Sequence, residues 1–168
     1  MKQLQFPDYA ALALERLGRG AFLTTAHGGA LNTMTISWGN LGIMWAKQIC
    51  TVMVRPSRHT YGILEQSREF TLSIPLDDSL AQALALCGAK SGRDMNKFAA
   101  ANLTVINSQK LTTPVIAGHC LHLECKVVYR QAMDADGLLP EIKQSKYAEG
   151  DYHVFYGAEI VAAYITEK

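Results

Sequence analysis

Apolar positions recur along the chain in short alternating runs, punctuated by glycine and proline, with a few stretches of helical spacing between them. Pro7 and Asp8 precede Leu12, Leu14 and Leu17, which predict a helix to about Leu17, capped by Asp8 and ended by Gly18 and Gly20. Residues 21–26 and 30–37 read as two strands joined by His27-Gly28-Gly29, the composition of a tight hairpin. Residues 49–54 are β-branched and nearly uncharged, which predicts a strand buried on both faces and stopped by Pro56. Helical spacing returns in Tyr61, Ile63 and Leu64 over residues 59–67, and residues 69–74 revert to strand composition before Pro75.

Residues 77–86 read as a helix closed by Cys87-Gly88, and residues 92–101 as another, introduced by Ser91 with Asp94 in the manner of a capping box. Residues 103–106, 115–117, 119–132 and 153–165 are strand candidates, and the polar stretch from Asp136 to Asp151 holds a short helix near Glu141. At least seven strands around four short helices, without regular alternation, argue against a doubly wound parallel sheet. They predict a mainly β protein, an antiparallel barrel with helical excursions. No G-x-G-x-x-G follows the first strand, and no P-loop pattern or internal repeat is present.

Composition narrows the function. The 168 residues suit one domain, 1–168, and an apolar fraction of 49% with 18% charged residues is that of a folded globular chain. A formal charge of +1 provides no broad field for nucleic acid or anionic lipid, so any anion site is local. Asp8, Glu15 and Arg16 interrupt the first apolar stretch, and no uncharged run approaches the roughly 18 residues of a membrane span, so a cytoplasmic location is expected. Cys50, Cys87, Cys120 and Cys125 lack C-x-x-C spacing and are expected to be reduced core residues.

Three segments can carry chemistry. In Asn32-Thr33-Met34-Thr35-Ile36-Ser37-Trp38-Gly39, alternation puts Asn32, Met34 and Ile36 on one face and the hydroxyls of Thr33, Thr35 and Ser37 on the other, facing solvent or a polar ligand. Arg55-Pro56-Ser57-Arg58-His59-Thr60-Tyr61 combines guanidinium groups, hydroxyls and a helix start, a composition suited to phosphate as well as to an ordinary capped helix. In the third, Lys90, Arg93 and Lys97 surround Ser91 and can supply a second positive contact. A metal is not expected: Cys120, His122 and Glu124 share a strand face but span roughly 13 Å at about 3.3 Å per residue, with no evident fourth ligand.

Taken in order, NTMTISWGN, VRPSRHTY with EFTLSIP, CGAKSGRDMNKF, LECKVV and GDYHVFYGAEI resemble the flavin reductase-like, FMN-binding split-barrel family, which includes flavoredoxins. The resemblance implies a split antiparallel β-barrel, a homodimer, and FMN held noncovalently. It implies that Asn32, Met34, Thr35, Ile36, Ser37 and Trp38 face the isoalloxazine and ribityl groups. Arg55, Ser57, Arg58, His59 and Thr60 would lie near the phosphate end, Ser91 and Lys97 would approach from the third segment, and His153 would close the site. NADH or NADPH is the implied electron donor of a flavin reductase; the alternative is an electron carrier reduced by a redox protein partner. Pyridoxamine phosphate oxidation on a related barrel fits the motifs less well. Two positions depart from the family pattern: Asn96 where Asp is common, and His59 where an aromatic residue is common.

Overall fold

In a computed structural model of the chain, which describes residues 2–167, the short alternating runs become a single antiparallel sheet with two smaller strands beside it. The order begins β1 (Lys2–Gln3), α1 (Phe6–Leu17), β2 (Ala21–His27), β3 (Ala30–Ile36), β4 (Gly39–Met44), β5 (Lys47–Val54), α2 (His59–Ser67) and β6 (Glu69–Pro75). A 3-10 turn at Asp78–Leu80 precedes α3 (Ala81–Ala89) and α4 (Lys97–Ala100). Then come β7 (Val105–Ile106), β8 (Val115–Ile116), β9 (Cys120–Ala132), α5 (Pro140–Tyr147) and β10 (Val154–Thr166).

The sheet runs β3-β2-β6-β9-β10-β5-β4, with β1 added to β10, and β7 pairs with β8 apart from it. Its two end strands, β3 and β4, are joined only by Ser37 and Trp38. Successive Cα atoms lie about 3.8 Å apart, so Ile36 and Gly39 are within about 11 Å of each other. The sheet must therefore roll until its ends nearly meet. Yet, among the described residues, β3 pairs with β2 alone and β4 with β5 alone. The result is a split antiparallel barrel whose seam lies at residues 36–39.

Tyr9, Leu23, Val52, Leu64, Phe70 and Tyr156 fill the barrel, and a second cluster of Phe22, Ala83, Cys87, Leu103 and Ile116 forms beneath α3. All four cysteines are free and buried. Among the described residues, no helix is long and apolar enough to cross a membrane.

Several local features differ from expectation, each for an identifiable reason. Helix α1 starts a turn earlier than Asp8 would allow as a cap: Gln5 is the N-cap, and Tyr9, Ala13 and Leu17 form its buried stripe while Leu14 is exposed. Strand β4 has no counterpart in the sequence reading because Gly39 and Gly42 mask its pattern, and its hairpin turn is Trp45-Ala46. Both turn residues sit at positive φ (53° and 56°), where glycine or asparagine is the usual signal. In β5, Cys50, Val52 and Val54 are buried but Thr51 and Met53 only half so, because that face borders the seam. Gly88 lies inside α3 instead of ending it, since a Cβ there would sit 3.3 Å from that of Thr35 and hold the helix off β3. The expected helix over residues 92–101 contracts to α4, capped by Asn96, whose side chain accepts from the Ala99 amide at 3.1 Å. Ser91 accepts from the Arg93 amide instead of forming the capping box with Asp94, and the Arg93 guanidinium draws that stretch onto the Ser57 carbonyl at 2.8 Å.

The His119–Glu124 stretch is spent on structure. Glu124 is fully buried and accepts from the amides of Gln109, Lys110 and Leu111 and from the Tyr164 hydroxyl. His122 bridges Ser73 (3.1 Å) and Thr166 (2.7 Å), and burial lowers its pKa to about 4. The unfolded chain, with an ordinary histidine near 6.5, therefore binds the proton more readily between those values. Stability from this group is complete above pH 6.5, falls as the pH drops through the window and levels off below about 4. The loss expected is on the order of 2–3 kcal/mol. The difference between wild type and a His122→Gln variant in urea denaturation at pH 7 and pH 4.5 measures it, the variant showing the shallower dependence; an unchanged slope would mean that His122 is not responsible.

Candidate functional site

The seam opens into a cleft of about 230 Å³. One wall is the end of β3 and the connection beyond it, from Met34 through Thr35, Ile36 and Ser37 to Trp38; Met53, Arg55, Arg58 and His153 complete it. A recess of about 120 Å³ continues from it, sharing Met34 and Arg58. Asn32, Ser57, His59, Thr60, Ser91 and Lys97 border this recess. Every residue that the resemblance assigns to the flavin site thus lines one of two adjoining clefts, although the roles differ, whereas Thr33 lines neither.

The threonine hydroxyls of β3 are committed internally. Thr33 donates to the Leu23 carbonyl and receives from Thr24, while Thr35 donates to the Leu84 carbonyl of α3 at 2.6 Å. What β3 presents at the seam is its backbone, because an end strand leaves alternate N–H and C=O groups unpaired. Met34, Ile36, Trp38 and Met53 add apolar surface beside that polar edge.

The recess suits an anion. Helix α2 opens at Arg58 with no side-chain cap, so its first amides are not met by a capping side chain. The Arg58 guanidinium makes no hydrogen bond or ion pair among the described residues and is exposed at the junction of both clefts. Lys97 is 4% exposed, and its ammonium donates to the carbonyls of Thr33 (3.0 Å) and Cys87 (2.8 Å), leaving one proton for another acceptor. Burial lowers its pKa, the Cys87 thiol opposes this, and the Arg58 charge lowers it further. Asn32 donates to the Thr60 hydroxyl at 2.8 Å, fixing β3 against the first turn of α2. Gly92 crosses so closely that a Cβ would fall 2.1 Å from the Asn32 side-chain oxygen.

Arg55 and Ser57 are occupied elsewhere. Arg55 donates to the carbonyls of Lys146 (2.8 Å) and Asp151 (2.9 Å) and lies 4.9 Å from the centre of the Tyr147 ring. Ser57 gives both its amide and its hydroxyl to the Asp151 carboxylate. Together they clamp residues 146–151 beside the seam. His153 follows this strap, bonded through Nδ1 to the Tyr147 hydroxyl at 2.7 Å and tilted against Trp38 with ring centres 5.8 Å apart. Its pKa is pushed down to about 4, chiefly by burial, then by Arg55, with Asp151 opposing and Arg58 adding to the fall. The imidazole is therefore neutral near pH 7.

The sequence reading missed Met53, Gly92, Tyr147 and Asp151. Met53 was recoverable, since it lies two positions before Arg55, which directly follows β5, and strand alternation puts such positions on one side. Asp151 and Tyr147 carried no local signal. Asn96 caps α4 as aspartate would, so that departure from the family pattern preserves the local structure. His59 borders the recess, its ring 3.0 Å from where a Gly92 Cβ would lie.

Comparison with known proteins places this geometry in context. A protein of Archaeoglobus fulgidus, itself uncharacterized, is 30% identical over 97 residues, which cover 58% of this chain and 54% of that relative; the match thus spans about half the relative's length. Among solved structures, flavoredoxin from Methanosarcina acetivorans superposes with a TM-score of 0.67 at 23% identity, covering 88% of this chain and 68% of its own. The FMN-binding domain of a flavin reductases-like enzyme from Shewanella baltica gives 0.68 at 20% identity, covering 97% and 78%. These likenesses establish a shared fold. The sequence also matches the family described as flavin reductase like domain over residues 14–168, and the chain belongs to that family.

Proposed function

We propose that the chain, as one domain of residues 1–168, binds FMN noncovalently at the seam and acts as an NAD(P)H-dependent flavin reductase. One observation carries this reading: a cleft that sets Met34, Ile36, Trp38 and Met53 beside an unpaired strand edge runs directly into a recess with uncapped helix amides and a guanidinium that makes no hydrogen bond or ion pair among the described residues. A flavin mononucleotide has the matching parts in the same order, a flat ring with a polar rim, a hydroxylated chain and a phosphate. The absence of a side chain at Gly92 keeps the recess open.

When bound, the flavin supplies hydride acceptance and electron transfer. The chain's residues bind and orient it. The β3 edge offers backbone donors and acceptors to the ring rim, Arg58 and α2 favour the phosphate charge, and Trp38 with His153 restricts water at the seam. His153, neutral and held by Tyr147, positions Trp38 and is not an imidazolium acid.

Two measurements test this. The visible spectrum of freshly purified protein, with chromatography of any released chromophore, identifies FMN; a colourless protein that fails to take up added FMN overturns the reading. Anaerobic stopped-flow mixing with NADH or NADPH should bleach the flavin rapidly, whereas an electron carrier would respond only to a reductase. We further propose a homodimer, since Ile43, Met44 and Trp45 on the β4–β5 hairpin and the nearby Val128 and Tyr129 are exposed. Sedimentation at low micromolar concentration should give twice the chain mass.

Gly92→Ala should weaken FMN binding about fivefold. The new Cβ displaces Asn32 from Thr60, a loss of one neutral hydrogen bond worth about 1 kcal/mol. Asn32→Ala should cost a similar factor, and the double variant little more than either, because both remove the same contact. Additive losses would point to separate effects.

A further inference from the structure

A third cleft, of about 350 Å³, lies between the end of α1, the 3-10 turn and α3. It reaches Thr35, which also borders the seam, and Gly88, which also borders the recess. Its size falls within the range of small-molecule sites, roughly 300–1,000 Å³. Pro75, Ala81, Leu84 and Ala85 give it apolar walls, and Arg16 and Arg19 stand beside them.

The charges decide what it would hold. Asp77 is engaged, accepting from the Ser79 amide at 2.9 Å and lying 3.4 Å from the His119 ring nitrogen. Asp78 also lines the cleft, opposing a second negative charge on any occupant. The Arg16 Nε is buried without a hydrogen bond among the described residues. Its nearest carboxylate, Glu15, is 3.5 Å away on a side chain that is 69% exposed. Arg16 therefore has, among the described residues, only an exposed carboxylate at ion-pair distance, and its guanidinium stands at the cleft wall able to pair with a carboxylate there.

We propose that this cleft binds a small aromatic monocarboxylate, with the carboxylate on Arg16 and the ring against Ala81 and Leu84. A phosphate suits it less well, because the walls are apolar and Asp78 disfavours a double charge. The position beside Thr35 places such a ligand next to the seam cleft. The inference concerns binding alone and stands apart from the flavin reading.

Benzoate and benzyl alcohol, alike in ring and differing in charge, are the probes. Each is titrated into the purified full chain while backbone amide shifts are followed by NMR. Benzoate should saturate, with shifts centred on Arg16, Leu84 and Ala85, and benzyl alcohol should bind at least tenfold more weakly. Losing a charged hydrogen bond costs roughly tenfold or more, so Arg16→Met should weaken benzoate at least tenfold, and Leu84→Trp, which fills the cleft, should abolish binding. No saturation, equal binding of the two probes, or shifts confined to residues 34–38 would overturn the proposal. The comparison of probes on the unaltered chain decides it even where a variant fails to fold.

Discussion

Arg58→Ala is expected to weaken FMN binding by about 10- to 100-fold while leaving riboflavin affinity within about threefold. The expectation rests on the difference between the two flavins, since only FMN carries a phosphate. Arg58 stands at the uncapped start of α2, borders both clefts and makes no hydrogen bond or ion pair among the described residues. Its loss therefore removes no hydrogen bond or ion pair among the described residues. Hydrogen bonds to a charged group are worth roughly 1.5–3 kcal/mol, which sets the range. Fluorescence titration of both flavins into wild type and variant measures it. Equal losses would show that Arg58 supports the barrel, and no loss for either would move the phosphate to the Lys97 side of the recess.

The elements visible in the sequence were those whose signals are local. The Gly28-Gly29 turn has φ of 56° and 84°, a geometry that glycine adopts freely, so the β2–β3 hairpin could be read directly. Strands β9 and β10 are long enough for their apolar content to stand out, and α2 begins where Pro56 ends the preceding strand. The β4–β5 hairpin was hidden because Trp45 and Ala46 adopt a turn geometry that their side chains do not advertise. Likewise, alternation assigned Thr35 to a face but could not show that α3 covers it. Periodicity tells which residues share a side of a strand. What packs against that side depends on distant parts of the chain.

The same limit applies to the site. Its members were legible because polar and cationic residues gathered at strand and helix ends in an otherwise nearly neutral chain. Their duties were not legible. Asp151 lies 94 positions from Ser57, and only the fold reveals that its carboxylate takes the Ser57 amide and hydroxyl. Arg55 and Arg58, equivalent as candidate phosphate contacts in sequence, diverge for this reason. One secures the strap at residues 146–151, and the other, at the junction of the clefts, makes no side-chain hydrogen bond or ion pair among the described residues.

Lys97 gives the complementary expectation: Lys97→Met should weaken FMN and riboflavin together, keeping the ratio of their affinities within about threefold. Its ammonium ties the Thr33 carbonyl of β3 to the Cys87 carbonyl of α3, so the contact shapes the recess before any phosphate arrives. Two charge-assisted hydrogen bonds are lost, at roughly 1.5–3 kcal/mol each, while methionine avoids the cost of burying an ammonium. A net destabilisation of about 2–4 kcal/mol follows, or a fall in Tm on the order of 10 °C for a chain of this size. Thermal unfolding and titration of both flavins, run beside Arg58→Ala, separate the two cations. If Lys97→Met keeps its Tm and loses FMN while retaining riboflavin, then its third proton serves the phosphate directly and the two carbonyl bonds contribute little to the fold.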